Sequence, residues 1–447
     1  MLRIWQNARS ANCQGATRRD FLQLGALTAG GLSLGDVLRS RASAATRSTL
    51  TDKSVILYWL DGGPTHMETY DPKPEAPKEY RGPFGAIKSN VSGILLNELL
   101  VHQAKVMDKV SLLRSVHHNN GDHFAAAHWM LTGFYGSNAS NLPPQYPSAG
   151  SIVAKVRGPR RPNLPAYVAV PYSSTIGQRP GYNSGAFLGP TYNPFETGGD
   201  PNAKKFTVKN LGLPKSVSVD RIGDRSKLLA GLDRLRRDAD NSGLIDGMDK
   251  FNSEAFELVT GEASRKAFDI SQEDSKLRDR YGRNRYGQSA LLARRLVEAG
   301  VRFVTIHNGG WDHHSNIQGG MKGRLPSMDQ SIGTLIADLA DRGLLDQTIV
   351  CVMGEFGRTP RVNRSAGRDH WGNVMSVLLG GGGLKGGQIV GASNAKGERP
   401  VEQPLKPADV LCTIYHQLGI SLETSFPNFA GRPIPIHNHG QPIRQLT

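Results

Sequence analysis

The chain has 447 residues, 38% of them hydrophobic, and 54 lysines and arginines outnumber 39 aspartates and glutamates to give a formal net charge of +15. That length can bury a large core, and the composition is that of a globular protein rather than a disordered or fibrous one. The basic balance points to an anionic small-molecule or glycan partner; without a lysine-rich arm or a nucleic-acid motif, nucleic acid is not the expected partner, and a solvated basic surface accounts for the charge on its own.

The chain opens on "ATRRDFLQLGALTAGGLSLGDVL", where Arg18 and Arg19 precede Phe21, Leu22 and a mildly apolar, glycine-rich stretch. Ala42, Ser43 and Ala44 then form a small-residue cleavage pattern. These features resemble a twin-arginine signal peptide over residues 1–45, read by a receptor and removed. Its apolar part is too short and polar for a comfortable membrane span. The expected partner during export is the twin-arginine translocase, and the expected location is periplasmic or secreted. No second membrane segment follows, so no stable span is expected.

Residues 46–447 read as one domain with a loop-rich and helical insertion at about 170–270. "SVILYWLDGG" is a buried strand ending at Asp61 and two glycines. "LLNELLVHQAKVMDKVSLLRSV" predicts a helical stretch and a short strand ending near Val116. "HFAAAHWMLTG" has helical spacing and stops at Gly133; "PSAGSIVAKV" starts another helix, and "LPAYVAVP" a strand. Within "DADNSGLIDGMD", Asp238, Asp240, Ser242, Gly243 and Asp249 lie close to calcium-loop spacing, but the last position is Asp and no partner loop exists, so a helix break is the favoured reading. "GQSALLARRLVEAG" predicts a helix, "VRFVTIH" a strand and "SMDQSIGTLIADLADRGLLDQ" a helix. "TIVCVMGEFG" and "VMSVLLGGGG" are strands and "PADVLCTIYHQLGI" a late helix. Apolar strands alternating with helices predict an α/β fold with a mostly parallel central sheet covered on both faces. Cys351 and Cys412 fall in apolar runs and read as buried thiols.

In such sheets ligands bind beyond the carboxyl ends of the strands. The polar residues expected there are Asp61; His117, His118 and His123; Asp312, His313 and His314; Glu355; and Asp369 with His370. One post-strand aspartate is ordinarily a turn or cap residue. Carboxylates and imidazoles arriving from several strands suit zinc, manganese or iron, one ion or two, whereas calcium wants oxygen alone.

"LDGGPTHMETYDPKP", "DHFAAAHWMLTG", "GQSALLARRLVEAGVRFVTIHNGGWDHHSN", "GEFGRTPRVN" and "GRDHW" resemble the family called domain of unknown function 1501, related to the alkaline phosphatase and sulfatase superfamily. The resemblance implies an alkaline-phosphatase-like three-layer sandwich and a divalent metal held by Asp61, by Asp312 with His314 or His313, by Glu355 and by His370. It implies an exported hydrolase of phosphate or sulfate esters, or a non-catalytic binding or scaffold protein that keeps the fold. One departure stands out. Counting back from Thr132 to the place where sulfatases carry their modified cysteine gives His123, and no Cys-x-Pro-x-Arg stretch exists, so a formylglycine mechanism is not expected. His123 is then a metal ligand, a histidine nucleophile or a helix-start residue, in that order. Thr65 offers a hydroxyl near Asp61, and Arg358 and Arg361 offer guanidiniums for an anionic group, against an ion-pair role as the plainer reading.

Overall fold

The computed structural model describes residues 52–136, 143–179, 181–208 and 261–447. The expected signal peptide and the segment weighed as a calcium loop or helix break therefore lie outside the described residues. An eight-stranded sheet forms the middle layer. Its strands in chain order are β1 (Ser54–Asp61), β2 (Val110–Val116), β3 (Tyr167–Val170), β4 (Phe195–Glu196), β5 (Phe303–Gly309), β6 (Thr348–Met353), β7 (Met375–Gly380) and β8 (Ile389–Val390). The spatial order is β8-β2-β7-β6-β1-β5-β3-β4. All run in one direction except β7, which is antiparallel to both its neighbours.

Every residue of β1 is buried. Its side chains alternate between two cores, as the two-residue period of a strand requires. Ile56, Tyr58 and Leu60 join one core with α3 (Arg285–Ala299) and α4 (Ile317–Asp341). Val55, Leu57 and Trp59 join the other with α1 (His123–Thr132), α2 (Ala149–Arg157) and α5 (Pro407–Gln417). The result is the predicted three-layer sandwich. Cys351 and Cys412 are buried free thiols within it. Among the described residues no helix is long and apolar enough to cross a membrane.

Two local expectations need correction. Residues 95–109 form no α-helix. Leu95–Asn97 pairs with Ala86–Lys88 as a small ribbon, and two 3-10 turns follow, burying the same leucines without a helix. The helix expected from Ser327 begins instead at Ile317 and runs through Pro326. Ile317, Met321, Leu325 and Met328 are all buried, so the apolar stripe continues on both sides of the proline and its packing outweighs the lost backbone hydrogen bond.

Candidate functional site

The carboxyl edge of the parallel strands carries the site. β1 ends in Asp61, on the same face as Trp59, whose indole Nε1 donates to Asp61 Oδ1 at 3.0 Å. Gly62 follows with φ of 115°, and a Cβ there would lie 2.8 Å from the backbone nitrogens of Trp311 and Asp312. A glycine is therefore needed for the loop after β5 to close onto the end of β1. That contact, sealed by Trp311 N donating to Asp61 O at 3.1 Å, brings Asp312 beside Asp61's strand.

β6 ends before Glu355, which is fully buried. Gly62 N donates to both its carboxylate oxygens, at 2.9 and 3.1 Å. His123 is the first residue of α1, but the cap is Asp122, whose side chain accepts from Phe124 N and Ala125 N. His123 is thus free of capping work, and its Nδ1 donates to Glu355 Oε1 at 2.6 Å while its Nε2 lies 3.3 Å from Asp312 Oδ2. His370 reaches the same edge because β7 is antiparallel: a chain entering that strand must enter at the rim where its neighbours end. The short ribbon of Gly357–Arg358 with His370–Trp371 holds it there.

The hydrogen bonds fix the state of the imidazoles. His370 Nδ1 faces the Gly121 carbonyl at 2.8 Å, and His314 Nδ1 faces Asp369 Oδ1 at 2.7 Å. A carbonyl and a carboxylate only accept, so both Nδ1 atoms carry the proton and both Nε2 atoms of neutral rings present lone pairs. Yet His314 Nε2 and His370 Nε2 are 2.9 Å apart, and lie 2.9 and 3.1 Å from Asp312 Oδ1. By the same reasoning a neutral His123 turns its Nε2 lone pair inward. Ligand atoms of His123, Asp312 and His370 all fall within 4.8 Å of one another. Neutral rings in this arrangement would converge lone pairs beside Asp312, a donor set that suits a cation. Phe356 packs beneath His123 and His370, with ring centroids 4.9 and 4.6 Å away. Asp312 and His314 keep 42% and 47% of their side-chain surface exposed, so the cluster is reachable from solvent.

Without an ion the cluster balances its charge through a protonated His123. Burial raises the Asp312 carboxyl, but the neighbouring His123 and His370 imidazoles and the Arg358 guanidinium outweigh it and hold it well below the usual carboxylate range. Burial opposes a charge on His123, but Asp312 and Glu355 outweigh it and lift the ring to about 9, so a proton bridges the two carboxylates when no metal does. Burial pushes the Glu355 carboxyl up, against the His123 hydrogen bond, and the charge of Asp61 adds to the push. Asp61 itself accepts from Ile176 N at both oxygens, at 3.1 and 3.0 Å, and faces His307 Nε2 at 3.1 Å.

His123, Asp312, His314, Glu355 and His370 therefore come together, with Asp61 near enough for its charge to act on Glu355 but turned to Ile176 N and His307, and other expected residues do not. Of the two adjacent histidines the cluster takes His314; His313 Nδ1 turns to the Trp311 carbonyl at 3.0 Å, and its ring lies over Gly320 of α4. Thr65 is buried, its hydroxyl donating to Glu68 Oε2 at 2.6 Å, which leaves no room for an ester. Arg358 is fully buried and holds protein rather than an open anion site. Its guanidinium donates to the Gly62, Gly63 and Arg368 carbonyls and to Asp312 Oδ1. Arg361 is exposed. His118 Nε2 donates to the Glu355 carbonyl at 2.7 Å, and burial lowers this ring to about 4. Sequence reading missed Glu68, fully buried and paired with the equally buried Arg368, and His307 at the end of β5. Glu68 sits inside the quoted "METYD", and His307 occupies the register position opposite Trp59.

Residues 52–447 match the family described as "Protein of unknown function (DUF1501)". The chain belongs to this family. Comparison with curated proteins finds no match. Among solved structures, Ps i-CgsB in complex with k-i-k-neocarrahexaose is 12% identical, covering 83% of this chain and 73% of the other at a TM-score of 0.40. The lipoteichoic acid synthase LtaP from Listeria monocytogenes is 9% identical, with coverage of 87% and 75% and a TM-score of 0.41. A protein in the alkaline phosphatase superfamily from Vibrio parahaemolyticus is 9% identical, with coverage of 82% and 66% and a TM-score of 0.37. At these scores the likeness carries no argument about chemistry.

Proposed function

We propose that this protein is an exported, metal-dependent hydrolase of phosphate or sulfate esters that works without formylglycine. The observation that carries the reading is the set of inward Nε2 atoms of His123, His314 and His370 around Asp312, with the outward nitrogens of the rings held by Glu355, Asp369 and the Gly121 carbonyl. Imidazoles oriented by such partners, with carboxylates between them, suit zinc or manganese better than calcium. Asp312, His123, His314 and His370 would hold the ion, with Asp61 and Glu355 beside them. A bound divalent ion supplies Lewis-acid polarisation of an ester oxygen and a source of hydroxide at neutral pH. The chain's own part is to orient the imidazoles, to exclude water beneath them with Phe356, and to keep Asp312 ionised through Arg358.

A second reading rests on an observation of its own. His123 stands where a hydroxyl or thiol nucleophile is expected, and the Thr65 hydroxyl is buried against Glu68. An exported binding or scaffold protein fits that pattern. Metal stoichiometry and turnover of aryl phosphate and sulfate esters, measured on wild type and on His123→Ala, separate the possibilities. The hydrolase reading expects a divalent metal and turnover in wild type, and a fall in metal affinity beyond about 100-fold in the variant. Metal kept with turnover lost would make His123 the nucleophile. A wild type that takes up no zinc or manganese and turns over neither ester would support the scaffold.

Export by the twin-arginine route belongs to the same proposal, motivated by Arg18 and Arg19 before the apolar stretch. Changing both to lysine should trap precursor in the cytoplasm. Undiminished secretion of that double variant would count against it.

A further inference from the structure

A cavity of about 310 Å³ opens beside Asp61, lined by Arg285, Tyr286, His307, Gly309, Gly310 and Arg324. Its lining holds two guanidiniums and an imidazole and no carboxylate. The buried arginines of the described residues are tied to acids: Arg294 meets Glu273, Glu298 and Asp338, Arg302 meets Asp52, Arg358 meets Asp312, and Arg368 meets Glu68. Among the described residues neither Arg285 nor Arg324 has an acidic partner. Arg285 Nε is buried and has no acceptor among them. Among the described residues its guanidinium lies over the ring of Tyr172, 5.9 Å from the centroid. Arg324 donates through Nη1 to the Gly309 carbonyl at 2.8 Å, and its guanidinium packs against Gly310, where a Cβ would meet Nη2 at 2.2 Å. The backbone thus fixes that guanidinium, and among the described residues its other donors have no acceptor. His307 joins the cavity to the cluster, since its Nε2 faces Asp61 Oδ2 at 3.1 Å.

Two planar, always-charged forks with donors to spare, in a carboxylate-free cavity, match the oxygens of a sulfate, phosphate or carboxylate. We infer that this cavity is an oxyanion subsite that takes a second anionic group of the substrate, next to the one hydrolysed. The inference rests on the hydrolase reading for the word substrate, and it narrows that reading to polyanions with neighbouring anionic groups. The cation surplus of the chain would then be partly local and functional rather than only a solvated surface.

The test uses inorganic sulfate as the probe, titrated by calorimetry at constant ionic strength into the purified chain and into four variants. Arg285→Gln and Arg324→Gln should each weaken sulfate binding about tenfold or more, with metal content unchanged. Arg285→Lys, which keeps the charge but not the fork, should recover only part of the loss. Arg285 is the safer of the two positions, because replacing it breaks no hydrogen bond among the described residues. Asp312→Asn should leave the sulfate site in place while lowering metal content. Saturable binding that is absent in wild type, or indifferent to both arginine changes, would overturn the inference. So would loss confined to Asp312→Asn, which would put the anion at the cluster. Arginine-dependent sulfate binding in a protein without metal or turnover would sink the hydrolase reading and leave the subsite standing.

Discussion

Asp369 shows how much of this site is decided one atom behind the ligands. It is not in the proposed ligand set itself, yet its Oδ1 accepts from His314 Nδ1 and so turns the opposite nitrogen toward Asp312 and His370. Its own charge is held below the usual range chiefly by that histidine. Asp369→Ala frees the His314 ring to rotate and to exchange tautomers. Metal affinity should fall about 10–100-fold, with the fold and the other ligands intact. Competition against a chelator of known affinity measures this, and an unchanged affinity would remove His314 from the ligand set. The same scale shows what sequence cannot express. "DHH" offers two equivalent neighbours, and only the turn that sends His313 over Gly320 decides between them. Arg358 reads in sequence as a free cation, because nothing in "GEFGRTPRVN" reveals that Gly62 and Gly63 aim their carbonyls at it.

Elements were more legible than side-chain roles. Buried parallel strands are continuous apolar runs, so β1, β5 and β6 could be read from composition, and Gly133 in the left-handed region marks the end of α1 as expected. The direction of β7 could not be read, since an antiparallel member among parallel strands has the same apolar pattern. The loops that carry the motifs are joined by a pin the sequence did not announce. Arg368 forms hydrogen bonds with both oxygens of Glu68 and donates to the carbonyls of Thr359, Pro360 and Tyr80. Both side chains are fully buried, and removing one partner leaves an unpaired charge in a dry site. Glu68→Ala should therefore destabilise the protein by about 3–5 kcal/mol. Urea unfolding would measure it, and a loss under about 1 kcal/mol would show that the pin is solvated.

Across the whole molecule, the buried histidines outside the cluster set a pH limit. Burial lowers His66, His118 and His128 to about 4, from an ordinary value of 6.5. Between those values the unfolded chain binds protons that the folded chain refuses at these rings, so their contribution to stability is full above about 6.5 and falls as the pH drops toward 4. Each ring contributes up to about 1.4 kcal/mol per pH unit across that window. The urea midpoint should thus drop clearly from pH 7 to pH 5, and His128→Gln should flatten the dependence; equal midpoints at the two pH values would contradict the burial argument. The reversed direction of β7 has a consequence for how the protein is made. It is what lets a histidine at position 370 share a rim with an aspartate at position 61. A ribosome must therefore deliver most of the chain before that last imidazole exists, and a growing chain carries its carboxylates and earlier histidines with no closed nest for an ion. Loading of the proposed ion would be deferred until synthesis is nearly over, when the sheet that aims these side chains can already have set their geometry.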